Sequence, residues 1–501
     1  MQEIMANLIT FDVLIALVIG VGGGMIIGAL PGLSATMGVA LLLPLSFTMK
    51  PEAALIMLMA IYTSAITGGG LTAILLHTPG TPASAATVIE GYPLTKQGRG
   101  LEACGMAVIS SVFGGVFSAV AILLIAPPLA KVSLWFSEPE YFLVAVFGMT
   151  IIGSLSGESM LKGLITGVIG LFLGTIGMET STGTMRFAYG NDYLMSGINM
   201  VPAMIGLFSM AQVFRHCENI NNNNTVTSFD KNNLSGKMLP TWKELPRYLR
   251  TMITSSVIGV FVGILPGAGG NIGSWMSYNE AKRVSKHKEE YGNGSLEGLC
   301  ACEAGNNAVT GGSFIPLLTM GIPGSPTAAV ILGGLMIHGL IPGHRLFGQM
   351  ASTTYTILIG FLLSNIAMLF IGLLIAKYVA NVAKVPQAYL SPIIVVLSVL
   401  GAYAINGRMY DVWVMLAFSA LGYLMEKFGF PPAPLILALI LGPMAENGFT
   451  RSLVMAKGNV IGYYLSRPLC VILIIMILLS LVAPPASSFF KKCRARFAKA
   501  V

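Results

Sequence analysis

Apolar runs as long as a lipid bilayer is thick recur along this 501-residue chain and leave it few ways to fold. Examples are "FDVLIALVIGVGGGMIIGAL" (residues 11–30), "TYTILIGFLLSNIAMLFIGLLIA" (354–376) and "PLCVILIIMILLSLVAP" (468–484). A helix needs about 20 apolar residues to span a bilayer. Inside hydrocarbon no water satisfies the backbone, so only helices and closed barrels can cross. Barrel strands alternate apolar and polar residues, and these runs do not. The expected fold is an all-α polytopic membrane protein. Only 10% of residues are charged, against roughly 25% in a soluble domain.

The runs are broken in odd places. "TMGIPGSPT" (319–327) sets two prolines and two glycines between apolar flanks, and both residue types break helices. The break has relatives in the chain. "GALPGLSATMG" (28–38) matches "GILPGAGGNIG" (263–273), "TSAITGG" (63–69) matches "NNAVTGG" (306–312), and "PGTPASAA" (79–86) matches "PGSPTAAV" (323–330). Three matches in one order mark a duplicated unit, which in a membrane protein points to a transporter fold. The expected organisation is a first membrane repeat over 1–214, a polar cytoplasmic linker over 215–250, a second repeat over 251–485 and a basic cytoplasmic tail over 486–501. About 10–12 transmembrane helices are expected, with helical hairpins or broken helices carrying Pro-Gly tips.

Charge orients the repeats. Basic loops lie inside. The linker (Arg215, Lys231, Lys237, Lys243, Arg247, Arg250) and the loop with Lys282, Arg283, Lys286 and Lys288 are both basic, yet one apolar segment separates them. A hairpin turning at Leu265-Pro266-Gly267 keeps both inside. The equivalent hairpin of the first half has few positive flanks, Lys50 being the main one, and reads as entering from outside. The repeats are then inverted. Lys96, Arg99, Lys162, Lys377, Lys384, Lys427 and the tail fall inside, while Lys131, Arg186, Arg345 and Arg451 fall outside.

Breaking a helix at membrane depth frees backbone groups that must be satisfied. Inverted-repeat transporters use them: half-helix N-termini face anionic substrate groups, and freed carbonyls hold cations. The candidate substrate- and ion-binding residues are therefore those around the breaks. In the first half they are Ser64, Thr67, Gly68, Thr78, Pro79, Gly80 and Thr81, and in the second Asn306, Asn307, Thr310, Gly311, Pro323, Gly324, Ser325 and Thr327. Hairpin tips are expected at Pro31, Gly32, Pro266 and Gly267. Neutral hydroxyls and amides can hold a carboxylate with its cation without burying a fixed charge. A lone Ser or Thr at a helix contact reads as packing; repetition of TGG…PGxP in both halves points to function.

Other features carry less. His77 and His338 flank breaks, but the second half has no histidine matching His77, so local hydrogen bonding is the simpler role. Glu303 is close enough to Asn306 to sit in the site. The six cysteines are scattered, and "CAC" at 300–302 lacks a second pair for a metal. No metal site is expected. "GVGGGMIIG" lies inside an apolar span, and no phosphate-binding "GxxxxGK[ST]" or catalytic triad pattern occurs, so neither ATPase nor other enzyme activity is expected. The start "MQEIMANLITFD" carries acids without a basic n-region and does not read as a cleaved signal. The net charge of +8 sits largely in loops and in "KKCRARFAK", which suits lipid headgroups and not nucleic acid.

Four segments in order, "ALPGLSATMGVALLLPLSFTM", "HTPGTPASAATVIEGYPLTKQGRG", "GILPGAGGNIGSWMSYNEAKR" and "TMGIPGSPTAAVILGGLMIHG", resemble the signature segments of the large membrane subunit of tripartite tricarboxylate transporters, the TctA family. The resemblance implies a multi-pass secondary transporter of the bacterial inner membrane, importing di- or tricarboxylates such as citrate. Sodium is the expected coupling ion and the proton the alternative; no other cofactor is implied. It implies a small membrane partner subunit and a periplasmic solute-binding protein, and leaves a homo-oligomer open. "GLIPGHRLF" departs from the family's pattern, with Ile341 and His344 where glutamine and proline are expected. The competing reading, an ion or solute channel, could not concentrate its solute.

Overall fold

The computed structural model describes residues 2–30, 32–155, 159–179, 183–218, 238–239, 245–379 and 387–481. Pro31, most of the 215–250 linker and the 486–501 tail lie outside them. The apolar runs are helices: α1 is Phe11–Ala29, and further on α13 is Ala351–Ala376 and α17 is Pro468–Leu481. Six helices are long and apolar enough to cross a bilayer, and four shorter apolar ones join them among the described residues. The only strand pair described is Gly177–Met178 against Met185–Arg186.

The two halves run through the same order of elements. The first has α1, α2 (Ala35–Leu42), α3 (Pro51–Leu76), α4 (Thr87–Lys96) and α5 (Gly100–Val132). The second has α9 (Leu245–Ile264), α10 (Gly269–Val284), α11 (Leu296–Met320), α12 (Pro326–Ile337) and α13. Between them come α6 (Glu138–Leu155), α7 (Met160–Gly174) and α8 (Ala211–Glu218); α14 (Gln387–Asn406), α15 (Met409–Lys427) and α16 (Ala433–Met455) follow α13.

Small residues set the packing. Gly20, Gly24 and Gly28 recur every four residues, so they share one face of α1. A Cβ on Gly28 would sit 1.9 Å from the Ala65 carbonyl, so α1 lies directly on the α3 backbone. Gly259 and Gly263 bring α9 onto Gly305 and Val309 of α11 in the same way. Without a hydrophobic drive between helices in lipid, such close backbone approach supplies the attraction. In both pairs the numbers rise together, Gly20 with Met57 and Gly28 with Ala65, so the helices are parallel. The shorter arm of each hairpin therefore returns the chain to the side from which it entered.

Equivalent helices of the two halves run oppositely. Thr63 of α3 meets Asn307 of α11, while Gly70 meets Glu303, so the helices cross antiparallel. In α5 and α13, Val108 meets Gly372 and Gly115 meets Asn365, again antiparallel. The repeats are inverted with respect to each other. Loops cluster accordingly. Gln97 donates to the Asn293 carbonyl, which brings Lys96 and Arg99 beside the 285–295 loop. Lys162 donates to the Phe428 carbonyl, and Lys427 and Arg215 pair with Glu218 and Glu426.

Candidate functional site

All four Pro-Gly breaks fall between helices, but the glycines serve two different purposes. Gly32 (φ 88°) and Gly267 (φ 80°) adopt left-handed backbone at the hairpin turns, where a side chain would be strained. Gly80 and Gly324 need no such conformation. A Cβ there would lie 1.9 Å from the Gly28 carbonyl and 2.1 Å from the Gly263 carbonyl. Each second break is thus pressed against the end of its own repeat's first hairpin arm. The Gly267 amide donates to the Gly324 carbonyl at 3.0 Å, and the Gly324 amide to Ser313 at 3.4 Å. These bonds meet part of the hydrogen-bonding need that the breaks create.

His77 and Gly321 occupy matching positions two residues before Pro79 and Pro323, and both close their long helix in the left-handed conformation. His77 (φ 57°) is exposed and its ring lies 4.4 Å from that of Tyr92. Helix termination accounts for this histidine.

Each break is followed by a helix N-terminus, and N-termini from opposite halves meet. Thr36, in the first turn of α2, and Thr327, in the first turn of α12, share a hydrogen bond of 2.8 Å. At the other pair, a Cβ on Gly270 of α10 would lie 3.0 Å from Ala83 Cβ, just ahead of α4. Ser34 and Ser325 cap α2 and α12 by accepting from the Met37 and Ala328 amides. Backbone dipoles make helix N-termini partly positive.

Between these meeting points runs a buried polar seam. Asn307 accepts from Thr63 at 3.1 Å and Thr67 at 3.4 Å, and its amide donates to Asn306 at 3.0 Å. Asn306 reaches the Ala83 carbonyl just beyond the Pro79-Gly80 break. The hydroxyls of Tyr62 and Ser325 lie 2.9 Å apart. Thr81 bonds Ser84, which donates to Ile66 O. Asn365 of α13 accepts from Thr63 at 2.9 Å.

Of the candidates, Thr67, Thr81, Asn306, Asn307, Ser325 and Thr327 are buried in or beside this seam. Thr310 is buried too, with its hydroxyl on the Asn307 carbonyl. Others face elsewhere. Ser64 donates to Ala60 and Gly20 carbonyls, Gly68 abuts Met25 O, and Gly311 abuts Ser118. Thr78 and Pro79 are exposed, whereas Pro266 and Pro323 are buried. Thr36, Tyr62, Thr63 and Asn365 join the seam without having been among the candidates. An amide inside the apolar run 354–376 was the one sequence signal for Asn365.

A cavity of about 670 Å³ opens beside the second break, lined by Thr319, Gly321, Arg345, Asn447 and Arg451 among others. Arg451 pairs with Glu138 at 2.9 Å. Arg345 is exposed and has no ion-pair partner among the described residues. No group of three or more metal-binding side chains occurs among the described residues.

The family model described as "Tripartite tricarboxylate transporter TctA family" matches residues 14–437. A relative from Agrobacterium vitis, "Uncharacterized 52.8 kDa protein in TAR-I ttuC' 3'region", is 36% identical over 444 residues, 88% of this chain and 87% of the relative. A second from the same organism, "Uncharacterized protein in TAR-II ttuC' 3'region", is 33% identical over 201 residues, 40% of this chain and 83% of its own. No solved structure matches the chain.

Proposed function

The chain belongs to the tripartite tricarboxylate transporter TctA family, and from that premise we propose that it is the large membrane subunit of a cation-coupled importer of a small di- or tricarboxylate. It works in the bacterial inner membrane beside a small membrane subunit, and takes its substrate from a periplasmic solute-binding protein. Sodium is the proposed driving ion.

One observation carries the substrate reading: N-terminal turns from opposite halves lie side by side, Thr36 against Thr327. Two partly positive helix ends repel, and an anion between them turns that repulsion into attraction at both ends. Hydroxyls and amides along the seam then orient the carboxylate without a fixed buried cation. Equivalent helices that run antiparallel allow the halves to exchange roles as one rocks against the other, which opens the seam to each side in turn. The cavity with Arg345 and Arg451 is the proposed approach for an anion released at the outer face.

Reconstitution tests this. Proteoliposomes holding the chain and its small partner, with the cognate binding protein outside, are given labelled citrate or a dicarboxylate with and without an inward sodium gradient. Accumulation that requires both sodium and the binding protein is the expected result. Downhill leakage indifferent to both would overturn the reading in favour of a channel.

A further inference from the structure

Glu303 is fully buried at the antiparallel crossing of α3 and α11. Thr87 donates to its Oε1 at 2.6 Å and Ser111 to its Oε2 at 2.8 Å. Its carboxylate lies against bare Gly70, where a Cβ would be 2.6 Å from Oε1. No ion pair includes it among the described residues.

Another buried carboxylate of the same half-helix set is handled differently. Glu90 accepts from the Tyr278 hydroxyl and from the amides of Gly292, Gly294 and Ser295, where α11 begins. Four donors and a helix N-terminus surround that carboxylate. Glu303 has no backbone amide donor in its hydrogen-bond set. The titratable groups facing it are the thiols of Cys104, Cys300 and Cys302, with Asn306 as a further neutral neighbour. A bare carboxylate in that setting is costly, and a positive charge must come from outside the protein.

We infer that Glu303 is the coupling group, neutralised by one monovalent cation in each transport cycle; this rests on the carboxylate-importer reading. The position links the cation to the substrate path. Glu303 is on the same helix as Asn306, which holds the Ala83 carbonyl beside the Pro79-Gly80 break, while Thr87 belongs to α4 just beyond that break. Loading therefore ties α3, α4, α5 and α11 together, and an empty, charged site resists passage through the apolar interior. If the cation is a proton, the carboxylate becomes a carboxylic acid, and a turned Thr87 or Ser111 hydroxyl accepts its O–H. If it is sodium, the two carboxylate oxygens and the two hydroxyl oxygens face it. The matching position in the first half is Ala60, so the inverted repeats provide one such site and not two.

The test separates coupling from transport. Wild-type, Glu303→Gln and Glu303→Asp proteins, each with the small partner subunit and with the cognate binding protein outside, are reconstituted and assayed for two activities. One is exchange of labelled for unlabelled carboxylate at equal cation on both sides; the other is uphill accumulation under a sodium gradient or a pH gradient. Glu303→Gln, a permanently neutral isostere, should exchange within about twofold of wild type but lose accumulation under either gradient. Glu303→Asp should recover part of it, and the gradient that drives wild type identifies the cation. Normal accumulation by Glu303→Gln overturns the inference, as does loss of exchange in a folded protein. If Glu303→Gln does not fold, Ser111→Ala serves: its half-saturating cation concentration should shift by about tenfold, and no shift overturns the inference. Absence of exchange in wild type would instead defeat the carboxylate reading itself.

Discussion

Replacing Gly80 by alanine should damage the fold far more than the same change at Gly22, although both add one methyl group to a glycine of the first half. At Gly80 the new Cβ would lie 1.9 Å from Gly28 O and 2.9 Å from Gly69 Cα, where ordinary contact begins at 3.4 Å. Both obstacles are backbone, and relief requires moving the end of α1 off the break. Overpacking costs about 1–3 kcal/mol, and a backbone collision on two sides puts Gly80→Ala near the top of that range. Gly22 has nothing within 4 Å of its added Cβ, and removing a helix-interior glycine stabilises by about 0.5–1 kcal/mol. The two variants should therefore differ by roughly 3–4 kcal/mol. Heating the purified proteins in mild detergent with a fluorogenic thiol dye reads this out, because Cys104, Cys300, Cys302 and Cys470 are buried until unfolding. Gly80→Ala should melt well below wild type and Gly22→Ala at or above it. Equal midpoints would refute the idea that Gly80 is required for backbone contact.

Ser325→Ala removes the α12 cap and the Tyr62 bond, and costs about 1 kcal/mol of stability. Asn307→Ala removes an acceptor shared by two buried threonines; in both variants uptake should fall while folded protein persists, and normal uptake would remove the residue from the site. Arg345→Gln should raise the KM for the carboxylate with little change in maximal rate, most clearly at low ionic strength where steering is strongest. An unchanged KM at low salt would exclude the cavity as the approach path.

Much of the architecture was legible in the chain because its solvent restricts it. The apolar run over 11–30 became α1 over Phe11–Ala29, and the run over 354–376 lies within α13, Ala351–Ala376. The breaks were legible because proline and glycine act locally. Their separate purposes were not: Gly32 and Gly80 follow prolines in identical dipeptides, yet one answers to its own φ and the other to a carbonyl in a different helix. The seam was half legible. Helical periodicity places Thr63 and Thr67 on one face of α3 and Ser64 and Gly68 on the next. The sequence does not say which face meets α11; the structure gives it to the threonines and turns Ser64 and Gly68 toward α1. Nothing local in the sequence joins Asn365, Tyr62 and Thr36 to the seam, because their partners Thr63, Ser325 and Thr327 lie hundreds of residues away in the chain.

The central claim is that the meeting point of the breaks is reached from both sides of the membrane in turn. Thr327→Cys, in a chain with Cys217 and Cys493 replaced by serine, puts a thiol at that point. Labelling it with a membrane-impermeant maleimide, in right-side-out and in inside-out vesicles, measures access directly. The account predicts labelling in both orientations and protection in both by saturating carboxylate with its cation. Labelling from one side only, unaffected by substrate, would contradict it.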